Sequence, residues 1–156
     1  MAASCEIVVF RLGAQRYALR LDVVRRVLPM AEFAPFPKAP EIVLGVLNVA
    51  GAWVPVLDVR RRFRQPGRAP LLDDQLILAR LGSRDVALAV DEVAGVETCA
   101  SVDVASADRV VPGLEYVRGI VKLADGETVF IHDLETFLSL EETRALDAAA
   151  GELARA

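Results

Sequence analysis

Apolar residues arrive along this chain in short dense blocks, each closed by glycine, proline or an acid. Glu6–Leu12 and Arg16–Leu21 are rich in β-branched and aromatic residues, and Gly13-Ala14-Gln15 between them supplies a bend, so the pattern predicts a hairpin. Val43–Val49 and Trp53–Leu57 predict a second around Ala50-Gly51-Ala52. Val117–Leu123 and Thr128–Ile131 predict another around Asp125-Gly126, because Asp and Gly tolerate the positive φ of a tight turn. Acids follow the strands. Asp22 is expected to cap a short helix over Val23–Arg26, and Asp58 one over Val59–Phe63, since a carboxylate accepts the free amide hydrogens of a first turn. Pro55 has no amide to donate and belongs at a strand edge or bulge. Helical spacing appears at the C-terminal end, where Ser139 and Glu142 form a capping box and Leu146, Ala149 and Leu153 make one apolar stripe.

The pattern occurs twice. LGAQRYALRLDVVRRV, Leu12–Val27, aligns without gaps on LGSRDVALAVDEVAGV, Leu81–Val96, at a constant offset of 69 residues. GVLNVAG aligns on GIVKLADG with Asp125 as one inserted turn residue, and VPVLDVRRRF then falls on VFIHDLETFL. Asp91 thereby repeats Asp22, and Asp133 repeats Asp58, each as an expected helix cap. Many short strands with one-turn helices at their corners favour small barrels over an open sheet. The expected fold is all-β with short helices: two five-stranded barrels packed together, as lobes 5–66 and 74–138 with room for strand exchange, and a C-terminal helix at 139–154. Two packed barrels leave a groove between them.

Composition narrows the picture further. At 156 residues, 54% hydrophobic and with a mean hydropathy of +0.38, the chain has ample apolar content for one folded domain and is not a disordered one. The uncharged run Ile42–Leu57 is shorter than the roughly 20 residues of a membrane span, and Gly45, Asn48, Gly51 and Pro55 interrupt it. The start, MAASCEIVVFRLG, lacks the basic n-region of a signal peptide, so a cytoplasmic protein with no direct membrane insertion is expected. Cys5 and Cys99 do not make a CxxC, and a single histidine cannot complete a His/Cys zinc set. Free buried thiols, no metal and no cofactor are expected. The net charge of −4 hides an asymmetry: residues 1–70 hold 11 Lys/Arg against 5 Asp/Glu, and residues 71–156 hold 7 against 17. Such halves attract each other within one molecule or between molecules, which leaves self-association open.

Candidate chemistry is sparse. His132 beside Asp133 is the one acid/base pair, without a nucleophile elbow or a Gly-rich phosphate loop. A structural hydrogen bond at the end of a strand is the favoured role for His132, and no catalytic residue is assigned. Arg60, Arg61, Arg62, Arg64 and Arg68 are not interleaved with stacking aromatics, so a protein-binding rim or a solvated face is favoured over nucleic acid.

The ordered set APEIVLGVLNVAGAWVPVLDVRRRF resembles the signature of CheW-like domains, and VALAVDEVAGV and GIVKLADGETVFIHDLETFLSLEE are similar to that family's second half. The resemblance runs from about Cys5 through Asp147 and makes 1–156 a single CheW-like domain. It implies two SH3-like five-stranded barrels and a non-catalytic coupler, whose partners are a chemoreceptor cytoplasmic tip and the regulatory domain of a CheA-type histidine kinase. The groove between barrels would take the receptor's helical hairpin, and exposed barrel ends would meet the kinase domain. Gly45, Asn48, Gly51, Pro55 and Asp58 match the motif, with Pro55, Asp58, Asp91, Gly126 and Asp133 read as structural. Val24, Val27 and Leu28 match the apolar segment that lines the groove, and Gly45, Asn48, Ala50, Gly51 and Trp53 complete the implied partner-binding set. Ala50 departs from the pattern, because many couplers carry arginine there. Trp53 is expected in the core, with an interface anchor as its alternative. Two other readings stay open: a divergent module of another two-component or motility pathway, and a small enzyme using His132 and Asp133.

Overall fold

A computed structural model gives the fold, and the structure describes residues 4–63, 65–100, 104–106, 117–123, 125–132, 134 and 137–155. The first part of the chain holds β1 (Ser4–Leu12), β2 (Gln15–Arg20), β3 (Val24–Pro29), β4 (Val43–Val49), β5 (Ala52–Leu57) and the one-turn helix α1 (Val59–Arg62). After the connection come β6 (Gln75–Leu81), β7 (Arg84–Val90), β8 (Glu92–Ala100), β9 (Val104–Ser106), β10 (Val117–Lys122), β11 (Thr128–His132) and α2 (Leu140–Arg155). The strands form two sheets, ordered β8-β1-β2-β11-β10-β9 and β3-β6-β7-β5-β4. The fold is therefore all-β with a C-terminal helix, in two SH3-like units.

Sheet boundaries do not follow the boundary between repeats. The hairpin β1–β2 joins the sheet of β8–β11, whereas β3, β4 and β5 join β6 and β7. Duplication explains the exchange. When β1 is matched to β6, β2 to β7, β3 to β8, β4 to β10 and β5 to β11, the order β8-β1-β2-β11-β10 becomes β3-β6-β7-β5-β4. The spans 5–66 and 74–138 are thus repeat units, while each sheet draws strands from both. Parallel ladders join the contributions: Phe130–His132 lies beside Tyr17–Leu19, and Val56–Leu57 beside Ala87–Leu88.

Among the described residues, side-chain alternation divides the interior into three cores. On β6, Leu76 and Leu78 fill the inside of their own sheet, while Ile77 and Ala79 face the seam between sheets. On β1, Ile7 and Val9 fill the other sheet, and Phe10 and Leu12 face the seam after a bulge between Val9 and Phe10. Strands buried on both faces need apolar residues at nearly every position, which accounts for the dense blocks in the sequence. The helix α2 covers the seam with Leu146, and Ala149 is buried beside it. Its predicted capping box is present: the Glu142 amide donates to Ser139 Oγ at 3.1 Å and the Ser139 amide to Glu142 Oε1 at 2.9 Å. The Leu153 side chain lies outside the described residues.

Three local expectations need correction. Leu21–Val23 is a single 3-10 turn without a side-chain cap from Asp22, and β3 replaces the predicted helix over Val23–Arg26. The cause is tertiary: β3 pairs antiparallel with β6, Val27 opposite Ile77, and β-branched valines suit that ladder. Pro55 occupies an internal strand, between β4 and β7, and it is buried. The ladder to β7 begins at Val56, one residue past the missing amide. Asp58 does hold the N-cap position of α1, but its carboxylate makes no capping hydrogen bond. Asp133 lies outside the described residues. The β1–β8 register sets Cys5 opposite Cys99, and the burial of their thiols also lies outside what is described.

Candidate functional site

The chain crosses from one sheet to the other between Val90, the end of β7, and Glu92, the start of β8. Asp91 is the residue between them. Its carboxylate caps no helix. Asp91 Oδ2 accepts the Gly13 amide at 2.8 Å and lies 3.4 Å from Arg11, while Oδ1 lies 2.7 Å from Arg68 and is paired with Arg60. Those arginines come from β1, the connection after α1, and α1 itself. With its side chain only 12% exposed, Asp91 is a desolvated knot.

Arg68 extends the knot. Its guanidinium forks onto Asp74 at 2.8 and 2.7 Å, and Asp74 Oδ2 accepts the Leu71 amide at 2.8 Å. Burial pushes the Asp74 carboxyl up, but the hydrogen bonds from Arg68 and the Leu71 amide, with the charges of Arg68 and Arg60, outweigh it and hold the group below its ordinary value. Burial, followed by the nearby Arg68 charge, lowers Arg60.

Beside this knot runs a groove of about 640 Å³ between the two sheets. Val27, Leu28 and Pro29 of β3 form one wall, Leu72 to Gln75 another, and Arg11, Asp91 and Glu92 close it from the other sheet. Val27 is 37% exposed and Leu72 91%, so the cleft presents apolar side chains to water. Covering them releases that hydration cost, the driving force for an apolar partner face to dock. Of the apolar positions inferred from the sequence, Val27 and Leu28 line the groove, whereas Val24 packs into the seam core.

The remaining inferred positions lie elsewhere. Ala50 and Gly51 form the two-residue turn of the β4–β5 hairpin with φ of 50° and 91°, and Asn48 Oδ1 accepts the Gly51 amide at 3.0 Å. Asn48, Ala50 and Gly51 are exposed. Gly45 is a close-approach position: a Cβ there would lie 2.5 Å from both the Ala34 oxygen and Phe33 Cδ2, where Ala34 and Val46 exchange backbone hydrogen bonds. Gly126, with φ of 89°, shapes the turn before β11. Trp53 is 55% exposed rather than core, and it lines a separate cleft of about 430 Å³ with Phe36, Pro55, Arg84 and Leu146. One signal for this was available, because the repeat aligns Trp53 with Thr128, a polar position that is also exposed.

His132 is 6% exposed and stacks on Phe63 at 4.0 Å between ring centroids, with Tyr17 at 5.2 Å. That place makes it a packing residue of the seam. What the sequence reading missed was the Asp91 knot and Leu72. Two leucines followed by two aspartates in a proline-bounded connection were the available sign.

Fold and cleft together define a module of paired SH3-like units with an open groove between them. The sequence profile of the CheW-like domain matches residues 6–142, and the chain belongs to that family. It is 29% identical over 142 residues to the chemotaxis protein CheW of Rhizobium meliloti, covering 90% of this chain and 91% of that protein. Identity to the chemotaxis protein CheW of Klebsiella aerogenes is 27% over 147 residues, covering 93% of this chain and 88% of the other. The crystal structure of the scaffolding protein TtCheW from Thermoanaerobacter tengcongensis superposes with a TM-score of 0.81 at 26% identity, over 91% of this chain and 96% of that one.

Proposed function

We propose that this protein is a non-catalytic adaptor of chemotaxis signalling in the cytoplasm, joining a chemoreceptor's cytoplasmic tip to the regulatory domain of a CheA-type histidine kinase. The observation that carries this reading is the groove between the sheets, whose solvent-facing Val27 and Leu72, beside the partly buried Leu28, suit the apolar face of a helical hairpin. By the family resemblance, the ends of the two β units would meet the kinase domain. Family membership and relatives that bear the name chemotaxis protein CheW support the assignment. The packed, stacked setting of His132 favours an adaptor over an enzyme. No helix among the described residues is long and apolar enough to cross a membrane.

Titration of the protein with a soluble receptor-tip hairpin and with the kinase regulatory domain tests the proposal. Saturable binding of both, and a ternary complex at stoichiometric concentrations, is the expected outcome; no complex with either removes it. Ala50 supports a second reading, in which the module serves another two-component or motility pathway, because the exposed hairpin tip lacks a guanidinium. If Ala50→Arg creates receptor binding that the natural chain lacks, this second reading replaces the first.

A further inference from the structure

The two sheets are connected at two crossings, β2 to β3 and β7 to β8, and each carries an aspartate at the same repeat position. Only the second crossing is tied to both walls of the groove. Asp91 holds Arg11 and the Gly13 amide on the side of β1. On the other side it holds Arg68, which grips Asp74, which in turn accepts the Leu71 amide next to the groove residue Leu72. Arg60 anchors the same carboxylate to α1 from within the seam, with its own side chain 10% exposed.

We propose that Asp91 is the positioning residue of the groove: through Arg11 and Arg68 its charge sets the placement of the two walls, and so the fit of the helical partner. This rests on the proposed function for the partner, though not for the mechanical claim. Asp91 need not touch the partner. A neutral side chain of the same shape would still accept the Gly13 amide, but it would not hold the buried Arg60 and the part-exposed Arg11 and Arg68 together, since charge-assisted bonds are about twice as strong as neutral ones. Arg68 would then loosen, and the Leu71–Asp74 wall with it.

The test compares Asp91→Asn with Asp22→Asn by hydrogen exchange and by partner titration. In Asp91→Asn, exchange at the Leu71 and Asp74 amides should accelerate at least tenfold more than exchange at the amides of the β6–β7 ladder. Affinity for the receptor-tip hairpin should fall at least tenfold, with affinity for the kinase regulatory domain held within threefold. Asp22→Asn should change none of these. Unchanged exchange at Leu71 and Asp74 would overturn the proposal, as would equal losses for both partners together with exchange accelerated by the same factor throughout, which would mark Asp91 as a general stability residue. If the natural chain binds neither partner, the adaptor reading fails, and the exchange measurement still decides the role of Asp91.

Discussion

Asp22 and Asp91 stand 69 residues apart at equivalent points of a duplicated chain, each where the backbone leaves one sheet for the other. Asp22 is 62% exposed and meets Arg20 at 3.2 Å; Asp91 is 12% exposed and gathers Arg11, Arg60 and Arg68. Duplication copied the residue but not its surroundings. In the first repeat the chain after α1 runs into the connection carrying Arg68, so the arginines converge on the second crossing. The difference teaches that a repeated motif fixes where a residue sits on the backbone, and the unique connections decide what it does.

The largest effect that tests this contrast is removal of each carboxylate. Asp91→Ala leaves Arg60 buried without its nearest counter-charge and should cost about 3 kcal/mol in denaturant unfolding. Asp22→Ala gives up one exposed pair and should stay within about 0.5 kcal/mol. Equal losses would erase the contrast.

Acid sharpens it next. Because the folded Asp74 carboxyl sits below its ordinary value, its contribution to stability is complete above about pH 4 and is lost as pH falls through the lower folded value. Arg68→Gln removes the fork that opposes burial, so the acid unfolding midpoint should move to higher pH. An unmoved midpoint would show that the fork contributes nothing to the fold.

The hairpin turns give the smallest effect. Asp125-Gly126 has turn chemistry of its own, with Asp125 Oδ1 accepting the Glu127 amide at 2.9 Å. Ala50 holds φ of 50° with a Cβ in place. Ala50→Gly should therefore stabilise the chain by about 1 kcal/mol, read as a raised thermal midpoint, and no gain would mean that the strain is absorbed locally.

Much of the architecture was legible in the sequence, and the reasons are physical. Hairpins follow from local turn residues and blocks of strand formers, and the Ser139/Glu142 box from a spacing of three residues, so each needs only neighbours in the chain. The strand β3 was not legible, because its partner β6 lies across the connection and a short apolar run carries no reliable period. Val27 and Leu28, which the family pattern singles out, lie in the lining of the groove. Leu72 is not singled out, and Asp91 reads as a helix cap, since its ion pairs depend on arginines brought together from distant segments.

One sheet draws all its strands from residues 24–90, and the other is built from the two ends of the chain. On the ribosome the first can close as soon as β7 emerges, while β1 and β2, made before its strands, must wait for β8 and β11 before their ladders are complete. The β1–β2 hairpin therefore waits with its ladder edges open while the other sheet closes, so the intervening strands can assemble before those that flank them.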